Sequence, residues 1–151
     1  MPSDSSTNSL EPPELTVFLD ECIPIVLVEK LTTLLSDRPE RPKFVHLLQL
    51  MRQGAHDPEW AAQCKRCGWL PITKDSSRSN RGPKLVRVAA SIGLFYVVLS
   101  PTVSAQKAHE LARSIVCLWP GILAAYRSGA TMAKVLRNSS DMGYRLHVVQ
   151  A

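Results

Sequence analysis

No run of 18 apolar residues occurs in this chain of 151 residues. The nearest candidate, 85–99, is broken by Arg87, Ser91 and Gly93. A membrane helix needs about 20 predominantly apolar residues, so no membrane span is expected. The first residues, MPSDSSTNSLEPP, have neither a basic start nor an apolar stretch. No secretory signal is read there, and the expected compartment is the cytoplasm. Cysteine is limited to four residues, and that compartment favours free thiols over a disulfide framework. The pair in 64-CKRC-67 lacks the second ligand pair of a zinc site. It also closes a predicted helix, whereas a redox CxxC opens one after a strand. His46, His56, His109 and His147 form no pair at ligand spacing. His46 falls inside a predicted strand, which suits a satisfied core histidine better than a catalytic one. Acids are few as well: 13 against 18 Lys and Arg, giving a net charge of +5. With a pI of about 9.2, the chain permits a nucleic-acid partner without demonstrating one.

What is present is an alternation of two textures. Residues 1–13 are rich in Ser, Pro and Asn and read as a mobile tail. From residue 14 to 151 the chain reads as one domain. Short β-type runs fall at 15–19, 43–48, 69–73, 94–99 and 132–136, with a weaker edge strand at 144–149. Helical segments are expected over 24–35, 58–66 and 83–91. Another should start after Ser104 and run to Trp119, where Pro120 would interrupt it, with a short helix to Arg127 beyond. VFL, LPI and LFYVVL are continuously apolar, as strands buried on both faces should be. Strand and helix in turn imply an α/β fold, a three-layer α/β/α sandwich on a mainly parallel central sheet, connected by right-handed crossovers.

In such folds ligands bind beyond the carboxyl ends of the strands. Five acids fall at the exits of the first three predicted strands: Asp20, Glu21, Asp57, Glu59 and Asp75. Each alone has a simple structural reading. Asp57 before Pro58 is a good helix cap, Glu59 suits a helix N-terminus, Asp20 and Glu21 precede a helix, and Asp75 opens a polar loop. Together at one sheet edge they would repel one another, and a divalent cation stabilises such a cluster. Oxygen ligands without histidine favour Mg²⁺ or Mn²⁺ over zinc, and the matching chemistry is metal-assisted hydrolysis of a phosphodiester. The basic stretch 74-KDSSRSNRGPKLVR-87 would then hold a nucleic-acid backbone, through Lys74, Arg78, Arg81 and Lys84. Its plain alternative is a solvated basic loop.

The order FLDECIP, GAHDPEW, GWLPITKD resembles the PIN-like nuclease family, in the branch related to VapC-type toxins of toxin–antitoxin modules. There a first strand ends in Asp-Glu, a middle segment reads Gly-Ala-x-Asp-x-x-Trp, and a Trp-led strand ends in Thr-Lys-Asp. The resemblance covers about 15–99. It implies a Mg²⁺- or Mn²⁺-dependent endoribonuclease, with RNA as substrate and an antitoxin protein as partner; a homodimer is compatible with it. It assigns metal binding to Asp20, Asp57 and Asp75, supporting roles to Glu21 and Glu59, and phosphate contact to Lys74. Members commonly use a fourth acid later in the chain. Here the fourth strand is followed by Ser100-Pro101-Thr102, leaving Glu21, Glu59 or Asp141 as substitutes. The alternative is a degenerate PIN-like module that binds RNA or a protein without cleaving.

Overall fold

The computed structural model describes residues 15–51, 57–74 and 81–150, with the backbone only for 57 and 81–84. The expected tail at 1–13 lies outside the described residues.

β1 (Thr16–Leu19) is followed by α1 (Leu27–Leu34), β2 (Lys43–His46) and the four-residue α2 (Leu47–Leu50). Next come α3 (Asp57–Cys67), β3 (Leu70–Lys74), α4 (Arg81–Ile92) and β4 (Tyr96–Leu99). A short α5 (Pro101–Ser104), the long α6 (Ala108–Arg127), β5 (Met132–Arg137) and β6 (Tyr144–Val149) complete the chain. The strands form one sheet in the order β2-β1-β3-β4-β5-β6. All neighbours are parallel except β5 and β6, which pair antiparallel.

Alternation along each strand sends side chains to opposite faces. Val17 and Leu19 of β1 pack with Leu27 and Leu31 of α1 and with Ile115 and Trp119 of α6. Phe18 points the other way, onto Trp60 and Ala61 of α3 and Leu85 and Ala89 of α4. Both faces of the central strands are therefore covered, which explains their uninterrupted apolar sequence. β6 half-buries alternate residues and exposes the others, as an edge strand packed on one side should. The expected three-layer, mainly parallel sandwich is observed.

Four local expectations change. β2 stops at His46 because that side chain caps α2: its Nδ1 accepts from the Leu48 amide at 3.1 Å, and the Gln49 side chain accepts from the His46 amide at 3.0 Å. Ser104 does not start the long helix. Ser100 instead caps α5, accepting from the Val103 amide, and α6 follows Lys107 without a side-chain cap. Pro120 does not interrupt α6, because it lies on the exposed face while Trp119, Ile122 and Leu123 are buried beside it. Finally, α6 lies on the face of α1, whereas α3 and α4 lie on the opposite face. The β4-to-β5 connection steps across the sheet in the same direction as β2-to-β3 and β3-to-β4, yet over the other face. Its hand is therefore opposite to theirs, unlike the uniform crossovers expected.

Candidate active site at the β1–β3 edge

β1 and β3 are neighbours, but their chains leave in opposite directions. After β1 the chain crosses one face through α1 to β2; after β3 it crosses the other face through α4 to β4. Such divergence opens a crevice at the carboxyl ends of the two strands.

Asp20 is the first residue beyond β1. Its amide donates to the Ile72 carbonyl of β3 at 3.1 Å, and its carbonyl accepts from the Ile23 amide at 3.0 Å. The side chain is buried, at 1 % exposure. Its Oδ1 accepts from the Glu21 amide at 2.7 Å, and its Oδ2 from the Thr73 hydroxyl at 2.8 Å. The Cys22 thiol lies 3.5 Å from the same Oδ2. A buried carboxylate requires donors of this kind, and here they also fix its orientation. Helix capping does not account for Asp20 or Glu21. α1 begins at Leu27, and its cap position, Val26, makes no side-chain cap bond.

The loop bearing Asp20 is tied down from below. His46 is 1 % exposed, and its Nε2 donates to the Ile23 carbonyl at 2.7 Å, while its Nδ1 accepts from Leu48. Both ring nitrogens are engaged and the imidazole is in the Nε2–H form. It is the satisfied core histidine that its place in the strand suggested.

α3 brings the second acidic position to the same edge. Trp60 stacks on Phe18 with ring centroids 5.4 Å apart, and Trp69 stacks on the same ring at 6.2 Å. The first turn of α3 is thus held over β1, two residues before Asp20. α3 precedes β3 through a short turn and has 11 residues, so it returns about 16 Å along the sheet. Its start at Asp57 therefore reaches the edge where β1 and β3 end. The Asp57 side chain is outside the described ones. Glu59, in the same turn, is exposed, and Glu21 is half-buried. Lys74 is the last residue of β3 and is exposed. Asp75 and Arg78 lie outside the described residues, as do the side chains of Arg81 and Lys84 in the first turn of α4.

Among the described side chains, no three of His, Cys, Asp and Glu converge; the expected trio also involves Asp57 and Asp75. The donors that are described, the Asp20 carboxylate and the Thr73 hydroxyl, are hard oxygens that fit Mg²⁺ or Mn²⁺. The exit of β4 carries no acid: the Ser100 side chain is buried and accepts from the Val103 amide at 3.4 Å. Asp141 anchors its own turn, its Oδ1 accepting from the Gly143 amide at 2.7 Å and from Asn138 Nδ2 at 3.1 Å. The bond from Gly143, then that from Asn138, holds its carboxyl below the usual range. Asp141 lies in the turn after β5, a strand about 14 Å from β1, three strand spacings along the sheet.

Thr73 and His46 were not picked out as site residues. The sign of Thr73 was its place directly before Lys74-Asp75 at the end of an apolar strand. The place of His46 in a strand signalled a core histidine, but not its tie to the Asp20 loop, since its partner Ile23 is 23 residues away. The CKRC pair behaves as expected of ordinary thiols. Cys64 is buried and Cys67 exposed. Burial, reinforced by Cys67 and Asp20, pushes the Cys64 thiol far above its ordinary range, so it stays protonated and inert.

A mainly parallel α/β/α sandwich with a buried, oriented aspartate at its switch point belongs to the class of folds that bind ligands beyond the carboxyl ends of their strands. The profile of the family described as "PIN like domain" matches residues 15–100, more than half of the chain. The chain belongs to the PIN-like domain family. Neither a curated protein nor a solved structure matches it.

Proposed function

We propose that this protein is a Mg²⁺- or Mn²⁺-dependent endoribonuclease acting at the β1–β3 edge. The observation that carries the reading is Asp20, a carboxylate buried at the switch point of a PIN-like sheet and held by Thr73. Asp20, Asp57 and Asp75 would bind the metal, with Glu21 and Glu59 in supporting places. When bound, the metal supplies Lewis-acid activation of water and neutralisation of charge on the phosphate. Thr73, bonded to Oδ2, would fix the orientation of the Asp20 carboxylate. Lys74 meets the scissile phosphate, and Arg78, Arg81 and Lys84 hold the flanking backbone. The test is cleavage of RNA with Mn²⁺ and with chelator. Asp20→Ala and Asp75→Ala should each lower the rate by more than the roughly 10–100-fold that losing a residue behind a metal ligand costs. Unchanged cleavage in both variants rejects the mechanism.

Within this reading the protein is a cytoplasmic toxin of the VapC type, neutralised by an antitoxin protein and able to form a homodimer. Arrested growth on expression alone, relieved by the product of a small neighbouring gene, tests that role.

A second reading has its own support. Ser100, at the exit of β4 where relatives commonly carry a further acid, is committed to capping α5. A PIN-like module that binds RNA or a protein without cleaving fits that substitution. It predicts salt-dependent RNA binding and no Mn²⁺ binding at the three acids.

A further inference from the structure

The hairpin between β5 and β6 stands at the same sheet edge as Asp20 and Lys74, because β5 runs parallel to β1, β3 and β4. Between this hairpin and the exit of β4 lies an open cavity of about 650 Å³. Its walls are Thr102, Arg137, Asn138, Ser139, Ser140 and the turn residues Asp141 and Met142. Hydroxyl, amide and guanidinium groups dominate the polar part of that lining.

Three guanidinium groups from three elements surround the hairpin: Arg113 of α6, Arg137 of β5 and Arg145 of β6. Their contacts are with neutral groups. Arg113 donates to the Met142 carbonyl at 3.3 Å and lies over the Tyr144 ring, 5.6 Å from its centre. Arg145 lies 3.5 Å from the Arg137 carbonyl and 3.4 Å from Asn138 Oδ1. Arg137 reaches the Met142 sulfur at 3.8 Å. Among the described residues none of the three forms an ion pair with a carboxylate. The Asp141 carboxylate is engaged by Gly143 and Asn138 instead. The guanidinium groups are thus positioned without being neutralised, the condition for receiving an anion.

The turn itself is closely built. A Cβ on Gly143 would come within 2.9 Å of Asp141 Oδ1 and 3.1 Å of Asn138 Nδ2. Only glycine lets the carboxylate close the loop and shape this wall of the cavity.

We infer that this cavity is a phosphate subsite for a single-stranded nucleic acid whose chain continues from the β1–β3 crevice over the ends of β4 and β5. The inference rests on the nuclease reading for the position of the cleaved bond, and adds the direction of the strand and a second anchoring point. β1 and β5 are three strand spacings apart, about 14 Å. A stacked strand rises about 3.4 Å per nucleotide, so the subsite takes a phosphate about four nucleotides from the cleaved one. The substrate then runs toward β6, not toward the β2 edge.

The experiment measures binding of a fluorescent ten-nucleotide RNA to the full chain in chelator, and separately its cleavage with Mn²⁺. Arg137→Ala, alone and combined with Arg145→Ala, is compared with Arg127→Ala, which sits at the far end of α6 beside the start of β5. Arg137→Ala should weaken binding about tenfold and reduce the salt slope by about 0.7, the loss of one phosphate contact on a single strand. Arg137→Lys should recover part of the affinity, and Arg127→Ala should bind as the parent does. Cleavage of a dinucleotide, too short to reach the cavity, should be unaffected by Arg137→Ala. Unchanged binding of the ten-mer by the double variant overturns the subsite, even if cleavage persists and the nuclease reading stands. That result would also be the outcome if the cavity received an acidic peptide instead. Loss of binding in the Arg137 variants of a chain that cleaves nothing supports the subsite while rejecting the nuclease.

Discussion

Glu40 holds two donors on one carboxylate oxygen. Arg38 Nε donates to Oε1 at 2.8 Å, and Trp119 Nε1 of α6 donates to the same atom. The group is only 5 % exposed. Burial alone would raise its pKa, but the bonds from Arg38 and then Trp119 outweigh burial and hold the carboxyl below its ordinary 4.5. A depressed carboxyl stabilises the fold fully above this ordinary, unfolded value. That contribution is lost as pH falls through the lower, folded value. Glu40→Gln should therefore cost about 1.5–3 kcal/mol at pH 7, the range for hydrogen bonds to a charged group. The gap between parent and variant should close below pH 4.5, where the parent loses its advantage. Urea unfolding at several pH values measures it; a gap independent of pH would show that the charge of Glu40 is not the stabilising factor. None of this could be read from the sequence, because Glu40 and Trp119 are 79 residues apart. The same holds for the Thr73 hydroxyl on Asp20, across 53 residues. Asp20 itself was legible because its signal is local: an apolar strand ending abruptly in two acids.

Elements were legible where burial is two-sided. The continuous apolar runs of β1, β3 and β4 located the strands to within one or two residues, since no register of a surface helix produces them. The departures came where one side chain decided a boundary, as His46 does for β2 and Ser100 for α5. Pro120 shows tertiary packing outweighing local preference. It lacks the amide that would donate to the Val116 carbonyl, yet α6 continues because its buried stripe, from Leu111 through Ile115 and Trp119 to Ile122, stays in phase with the sheet. Pro120 is exposed, so replacing it disturbs no core contact. Pro120→Ala restores the missing hydrogen bond and a favourable helical residue. It should raise stability by about 1–3 kcal/mol, the upper figure being the full propensity difference between proline and alanine. Denaturant midpoints with unchanged slope would confirm it, and a lower midpoint would show that α6 needs the local distortion of proline to pack.

At the scale of the whole molecule, the two apolar layers close on the sheet, while the buried Asp20 carboxylate stands at the carboxyl end of β1. Val17, Leu19, Leu31 and Ile115 on one side, and Phe18, Trp60 and Leu85 on the other, build a core with no role for a metal. Removing divalent ions should therefore leave the fold intact and lower only the stability that binding adds. A ligand that binds the native state alone stabilises by RT ln(1 + [L]/Kd), about 2.7 kcal/mol at a hundredfold excess over Kd. In chelator the parent should melt in one cooperative transition with native circular dichroism. Added Mn²⁺ should raise its Tm in proportion to the logarithm of concentration, and Asp20→Asn should abolish the rise. Asp20→Asn keeps the shape: its one oxygen can accept from the Glu21 amide while its NH2 donates to the Thr73 hydroxyl, so its own Tm in chelator should stay close to the parent value. This separates the two functional readings without any substrate. A parent chain whose Tm ignores Mn²⁺ is the non-cleaving module. A rise abolished by the loss of one buried charge means that the edge at Asp20 was built around a cation.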